Sequence, residues 1–188
     1  MVVIENMPPE QARPALIASA PAGARAFDTD RLQAMPVSYA APTGSAARRF
    51  EVELPDRIPA HCIRDSSSAY DINPLLMLAV LKVESNGRTG IVAKNTNGTD
   101  DLGPSQFNSD SWAKVLIVKY KIPREALIHD MCQSVRALGF ALRTEINAAG
   151  GDLWKGLGNY HSRTPKHHEK YKALVWGAYR QMITKGKF

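Results

Sequence analysis

No stretch of this 188-residue sequence stays apolar for the roughly 20 residues that a bilayer-spanning helix needs, which excludes a helical membrane span. A basic N-terminal region followed by an apolar one is also missing. No secretion signal is therefore visible; it has been removed, or export takes another route. Internal repeats are absent and strand signals are scarce, so the chain is neither a solenoid nor an all-β sandwich. Cysteine is nearly absent: Cys62 and Cys132 are the two present. From spacing alone, two buried free thiols and one bridge stand as equal readings. A bridge would close a loop of about 70 residues, contribute roughly 4 kcal/mol by chain entropy, and imply an oxidising compartment.

What is present begins with charge. A net charge of +6 favours anionic partners: nucleic acid, anionic lipid or an acidic cell-wall polymer. Residues 1–50 are rich in Ala, Pro, Gly and Ser, as in "ARPALIASAPAGARAF", and lack sustained amphipathic periodicity. Such a segment buries too little apolar area to offset its ordering entropy, so it reads as a flexible tail or linker. Residues 51–188 form the folded domain, with a first helix starting near Pro59 over "AHCIRDSSSAYD".

The rest of the domain reads as mainly helical. Asn73 and Pro74 mark a helix start, Asn86-Gly87 its stop, and Leu76, Val80 and Val83 between them recur on one face. A polar loop at 88–103 holds a small hairpin turned at Asn97-Gly98. Ser109 or Asp110 caps "SWAKVLIVKYK", and Pro123 begins a new turn. "MCQSVRALGFALRTEINAA" is a long helix stopped by Gly150-Gly151, and "LWKGLGNYHS" is a short one. In the last helix Tyr171, Leu174, Val175, Ala178 and Met182 form an apolar stripe.

Glu84 falls in the last turn of the helix that starts at Pro74. A helix C-terminus carries partial negative charge and disfavours an ionised carboxylate. Apolar shielding would raise the pKa further, and a carboxyl that keeps its proton near neutrality suits general acid catalysis at a glycosidic bond. A solvated glutamate near a helix end is the ordinary alternative. Ser85 can orient the carboxylate or begin the turn, and Asp101 lies 17 residues on, across the loop. Gln106 and Asn108 alternate in an extended segment and present amides to one face, where they would meet sugar hydroxyls and acetamido groups or else cap the loop.

"KVESN" followed by "NTNGTDDLGPSQFNS" resembles the lysozyme-like superfamily that cleaves peptidoglycan, and "LGNYHSRTPKHHEKYKALV" is similar to the C-terminal motif of lytic transglycosylases. The Tyr-His-Ser variant resembles the specialised enzymes of type III and type IV secretion and conjugation systems. The resemblance covers about residues 59–182. It implies a lysozyme-like helical domain with a small hairpin lobe, acting as a monomer on glycan strands without a cofactor. It also implies a periplasmic or otherwise extracytoplasmic location and a bridge between Cys62 and Cys132. The tail would meet components of the apparatus. By the same resemblance Glu84 is the catalytic acid and then base, Ser85 supports it, and Gln106 contacts substrate. Tyr160 brings its hydroxyl to the glutamate and Tyr171 lines the groove. Pro104 and Ser105 replace the usual Leu-Met, so Ser105 is expected to hydrogen-bond to substrate, and His161 replaces the usual Asn.

A transglycosylase needs one carboxyl group and forms a 1,6-anhydromuramic end. A retaining lysozyme adds a second carboxylate about 5 Å away, and Asp101 resembles that group. An aspartate that holds loop amides is its structural alternative. The C-terminal motif favours transglycosylation. His161, His167 and His168 lack the i, i+4 spacing of a helical zinc site and have no evident carboxylate partner, so no metal is expected. No zinc-finger or helix-turn-helix signature accompanies the basic run "TPKHHEKYK", so nucleic acid is not expected. Trp112, Trp154 and Trp176 could stack on sugars, although helical apolar stripes place two of them in the core. A glycan-binding scaffold without catalysis is the non-enzymatic alternative.

Overall fold

The structure is a computed structural model that describes residues 2–5 and 49–188. Residues 6–48, most of the segment read as a tail, lie outside the described residues. Val2–Glu5 (β1) pairs antiparallel with Arg49–Val52 (β2), Val2 opposite Val52 and Glu5 opposite Arg49. The sequence reading did not anticipate this ribbon. β-Branched and aromatic residues (Val2, Val3, Ile4, Phe50, Val52) supply its strand propensity. The core accordingly starts at Val52, which is fully buried, ahead of Pro59.

The helices are Ala60–Tyr70 (α1), Pro74–Ser85 (α2), Trp112–Lys114 (α3), Arg124–His129 (α4), Met131–Ala148 (α5), Leu153–His161 (α6) and Pro165–Lys185 (α7). A hairpin lobe of Val92–Lys94 (β3), Asp100–Leu102 (β4) and Phe107–Asn108 (β5) sits between α2 and α3. The domain is mainly helical with a small antiparallel sheet, as the sequence implied. None of the described helices is long and apolar enough to cross a membrane.

α2 is the centre of the core. Asn73 caps it by accepting a hydrogen bond from the Leu75 amide. Every residue from Leu75 to Leu81 is buried. The expected single face at Leu76, Val80 and Val83 is therefore too narrow, and Val83 is only partly buried. A helix apolar all round is an interior helix, and α2 packs against α1, α5 and α7. α5 packs in turn on α1 and α6. Gly139 lets α5 approach α1 closely, since a Cβ there would lie 2.4 Å from the Tyr70 ring and 2.5 Å from Ser66 Oγ. The Cys62–Cys132 disulfide joins α1 to the first turn of α5. Reducing it is expected to cost about 4 kcal/mol, read as a lower urea midpoint in the C62S/C132S variant, with an unchanged midpoint as the contrary result.

Two local expectations are corrected. Ser111 precedes α3, and its side chain makes no capping bond. Ser109 Oγ instead accepts from the Asp100 amide at 2.9 Å, and Asp110 pairs with Lys114 at 3.4 Å. Both candidate caps were drawn away by nearer donors. α3 continues into a π-helical turn, Val115–Lys119. On α7 the buried stripe is Tyr171, Val175, Tyr179 and Met182. Leu174 is half exposed, because α2 and α6 meet α7 along a stripe that leaves position 174 outside. Trp112 and Trp154 pack partly buried against the core, whereas Trp176 remains exposed.

Candidate functional site

Glu84 lies in the last turn of α2. Asn86 stops the helix in the left-handed conformation (φ 56°), its amide donating to the carbonyls of Leu81 and Lys82. The chain then crosses to the hairpin lobe. Asp101 stands opposite Ala93 on one side and Asn108 on the other. The expected Asn97-Gly98 turn joins β3 to β4, with the Asn95 amide donating to the Thr99 carbonyl.

After β4 the chain folds into a tight turn, Gly103 to Gln106, closed by the Gln106 amide donating to the Gly103 carbonyl at 3.1 Å. Three helices hold this turn. Ser85 Oγ, at the end of α2, donates to the Pro104 carbonyl at 2.7 Å. Ser105 Oγ shares a hydrogen bond with Ser134 Oγ of α5 at 2.9 Å. The Tyr160 hydroxyl of α6 donates to the Ser105 carbonyl at 2.7 Å.

These bonds revise several expectations. Ser105 is fully buried and bonded inside the protein, so it cannot meet a substrate. Ser85 fixes the turn and accepts from the Arg88 amide, rather than orienting the carboxylate. Gln106 is left-handed (φ 49°), not extended, and its side-chain amide donates to the Gly103 carbonyl at 2.7 Å. Asn108 donates to Asp101 Oδ1 and Thr99 Oγ1, both at 2.8 Å, so its amide group serves the hairpin. Tyr160 gives its hydroxyl to the turn, and Tyr171 takes the place expected for it. Tyr171 donates to Glu84 Oε1 at 2.5 Å. A tyrosine within a buried apolar stripe needs a partner for its hydroxyl; that signal was available in the sequence, but it does not name the partner.

The electrostatics follow from this packing. Glu84 keeps part of its surface open, yet the surrounding protein desolvates its carboxyl and pushes the pKa up to about 8. The Tyr171 hydrogen bond pulls it down, and the negative charge of Asp101 adds to the rise. Tyr160 and Tyr171 are both pushed well above the usual phenol range, first by burial and then by Glu84, so they act as neutral donors at ordinary pH. The His161 ring stacks flat on Tyr171, 4.3 Å between centroids and 2° between planes. Its pKa is lowered, first by desolvation and then by His167, against an opposing pull from Asp101.

A hydrogen bond to an ionised carboxylate favours that form. Tyr171→Phe should therefore raise the Glu84 pKa by about one pH unit. A carboxyl 13C titration by NMR reads this directly, and a downward move would contradict the hydrogen bond's assigned role.

The structure thus brings Glu84, Tyr171, His161 and Tyr160 together, with the charge of Asp101 felt by Glu84. Such a centre can deliver a proton near neutral pH and take it back. Among the described residues, the His, Cys, Asp and Glu side chains close enough to share a metal ion are His61, Cys62 and Cys132, at the α1–α5 junction.

No family model matches the chain. It is similar to the invasion protein IagB of Salmonella typhimurium and that of Salmonella typhi. Each is 28% identical over 127 residues, which cover 65% of this chain and 78% of the relative. The relationship is distant.

Proposed function

We propose that the protein is a peptidoglycan lytic transglycosylase that cuts the β-1,4 bond between N-acetylmuramic acid and N-acetylglucosamine. The observation that carries this reading is Glu84: a carboxyl group at a helix C-terminus, protonated up to about pH 8, hydrogen-bonded on one oxygen by Tyr171. Glu84 donates its proton to the glycosidic oxygen as the bond to the anomeric carbon breaks. The resulting carboxylate then accepts the proton of the muramic sugar's own 6-hydroxyl as that oxygen attacks the anomeric carbon. The product is a 1,6-anhydro end, no water is consumed, and the carboxyl is regenerated. The hydrogen bond from Tyr171 steadies the carboxylate between the two transfers.

The net charge of +6 supports retention on an anionic wall polymer, in keeping with work outside the cytoplasm. The Tyr-His-Ser variant at residues 160–162, together with the likeness to proteins named for invasion, supports service to an apparatus that crosses the wall. Hydrolysis with Asp101 as second carboxylate is the other reading, favoured by the charge of Asp101 reaching Glu84. Digestion of purified sacculi separates the two. Soluble products lighter by one water than reducing muropeptides are expected, and reducing ends would mean hydrolysis. No release of muropeptides at any pH would leave a glycan-binding scaffold.

A further inference from the structure

The Cys62–Cys132 pair has a third group beside it that the proposed reaction does not use. His61 Nε2 lies 3.6 Å from Cys62 Sγ and 3.5 Å from Cys132 Sγ. The ring is exposed while Cys62 is buried, so the imidazole covers the sulfur pair from the solvent side. The two sulfurs and this nitrogen lie within 4.8 Å of one another. A surface cavity of about 200 Å³ adjoins them, lined among others by Asp65, Asp130 and Arg136.

These distances have a specific meaning for metal chemistry. Zinc takes Zn–N bonds of about 2.0–2.1 Å and Zn–S bonds of about 2.3 Å in a tetrahedron, which sets the N···S edge at about 3.6 Å and the S···S edge at about 3.8 Å. Both N···S edges are already in place. The sulfurs alone must move apart, from bonded contact to the S···S edge, after the disulfide is opened. Three protein ligands leave a fourth position towards the cavity, open to water or to the carboxylate of Asp65, one helical turn after His61.

We propose that the dithiol form of this protein binds one zinc ion through His61, Cys62 and Cys132, so that the same two helices are clamped by metal under reducing conditions and by the disulfide under oxidising ones. The interconversion balances. A dithiol reductant gives two electrons and two protons to the disulfide and becomes a disulfide itself; zinc binding then displaces both thiol protons as two Zn–S bonds form. Two thiolates neutralise the ion's double charge, which suits a site beside a cavity that Arg136 also lines. The clamp joins α1 to α5 in either state, giving the fold a staple before the chain reaches an oxidising compartment.

The test uses the full chain, reduced with a dithiol that is then removed without air, and titrated with cobalt(II) as a spectroscopic stand-in for zinc. One equivalent should produce a thiolate-to-cobalt charge-transfer band that zinc abolishes. The oxidised chain should show none. H61A leaves both sulfurs and the disulfide intact, and should weaken binding at least tenfold while its oxidised form keeps the wild-type circular dichroism. A reduced chain with no such band would overturn the proposal, as would an H61A variant that binds cobalt as tightly as wild type. Neither result touches the reaction assigned to Glu84, which is read from muropeptides.

Discussion

Glu84→Gln is expected to cut the release of soluble muropeptides by about a thousandfold or more, the scale on which a positioned general acid and base acts, while making the protein more stable at alkaline pH. The second effect follows from the sign of the shift. The native carboxyl titrates near 8 and the unfolded one near 4.5. Between those values the native state holds a proton that the unfolded chain has released, so stability falls as pH rises. What this group contributes is fully present below about 4.5 and is lost by about 8, after which the native state carries a poorly solvated carboxylate. Glutamine removes that charge and still offers an oxygen to the Tyr171 hydroxyl. The variant should match wild type near pH 4 and exceed it by a few kcal/mol at pH 9, at ~1.4 kcal/mol per pH unit of displacement discounted for the open part of the side chain. Activity should share the same upper limb, steady to about pH 8 and falling beyond it as the acid form is lost. Urea melts at the two pH values and muropeptide release across the range check both. A variant that still releases muropeptides would remove Glu84 from the reaction. A stability gap that does not widen with pH would mean its carboxyl is not desolvated.

Gly103→Ala should be the most damaging glycine-to-alanine change among the described residues. Gly103 sits at φ 65°, a conformation that favours glycine, and a Cβ there would lie 1.9 Å from the Leu127 carbonyl oxygen and 2.9 Å from Ile128 Cα. These are backbone atoms and cannot swing aside. The Gly103 amide also donates to the Ile91 carbonyl at 2.8 Å, tying the turn to the residue just ahead of β3. The turn would have to leave α4, and with it would go the bonds from Ser85, Ser134 and Tyr160 that place it beside Glu84. A loss of at least ~4 kcal/mol is expected from the clash and strain together. Gly98→Ala is the control. Its φ is 84°, yet nothing lies within 4 Å of the added Cβ, so backbone strain alone should cost about 1 kcal/mol. Equal losses at the two sites would mean that conformational preference, and not contact with α4, decides the requirement at position 103.

The helices were legible in the chain because their signals are local. Asn73-Pro74 opens α2, Asn86-Gly87 closes it, and Gly150-Gly151 ends α5, each through backbone geometry that a few neighbouring residues dictate. Asn97-Gly98 set the hairpin turn in the same way. Other features were local in sequence but decided by competition in space. Ser109 could have capped a helix; the Asp100 amide, brought close by the hairpin, claimed its hydroxyl. Gln106 and Asn108 read as paired amides facing one way, yet the left-handed backbone at Gln106 and the pull of Asp101 on Asn108 turned both inward.

The desolvation that makes Glu84 keep a proton comes from tertiary packing, but its position at the end of an apolar helix was determined by the sequence alone, because the helix stop is local. Its partner was not. Tyr160 and Tyr171 lie 76 and 87 residues further along the chain, and both hydroxyls are buried near the same carboxyl. Which one donates to it depends on how α7 packs against α2 and α6, and the pairing of buried polar groups is settled by that packing, not by spacing along the chain.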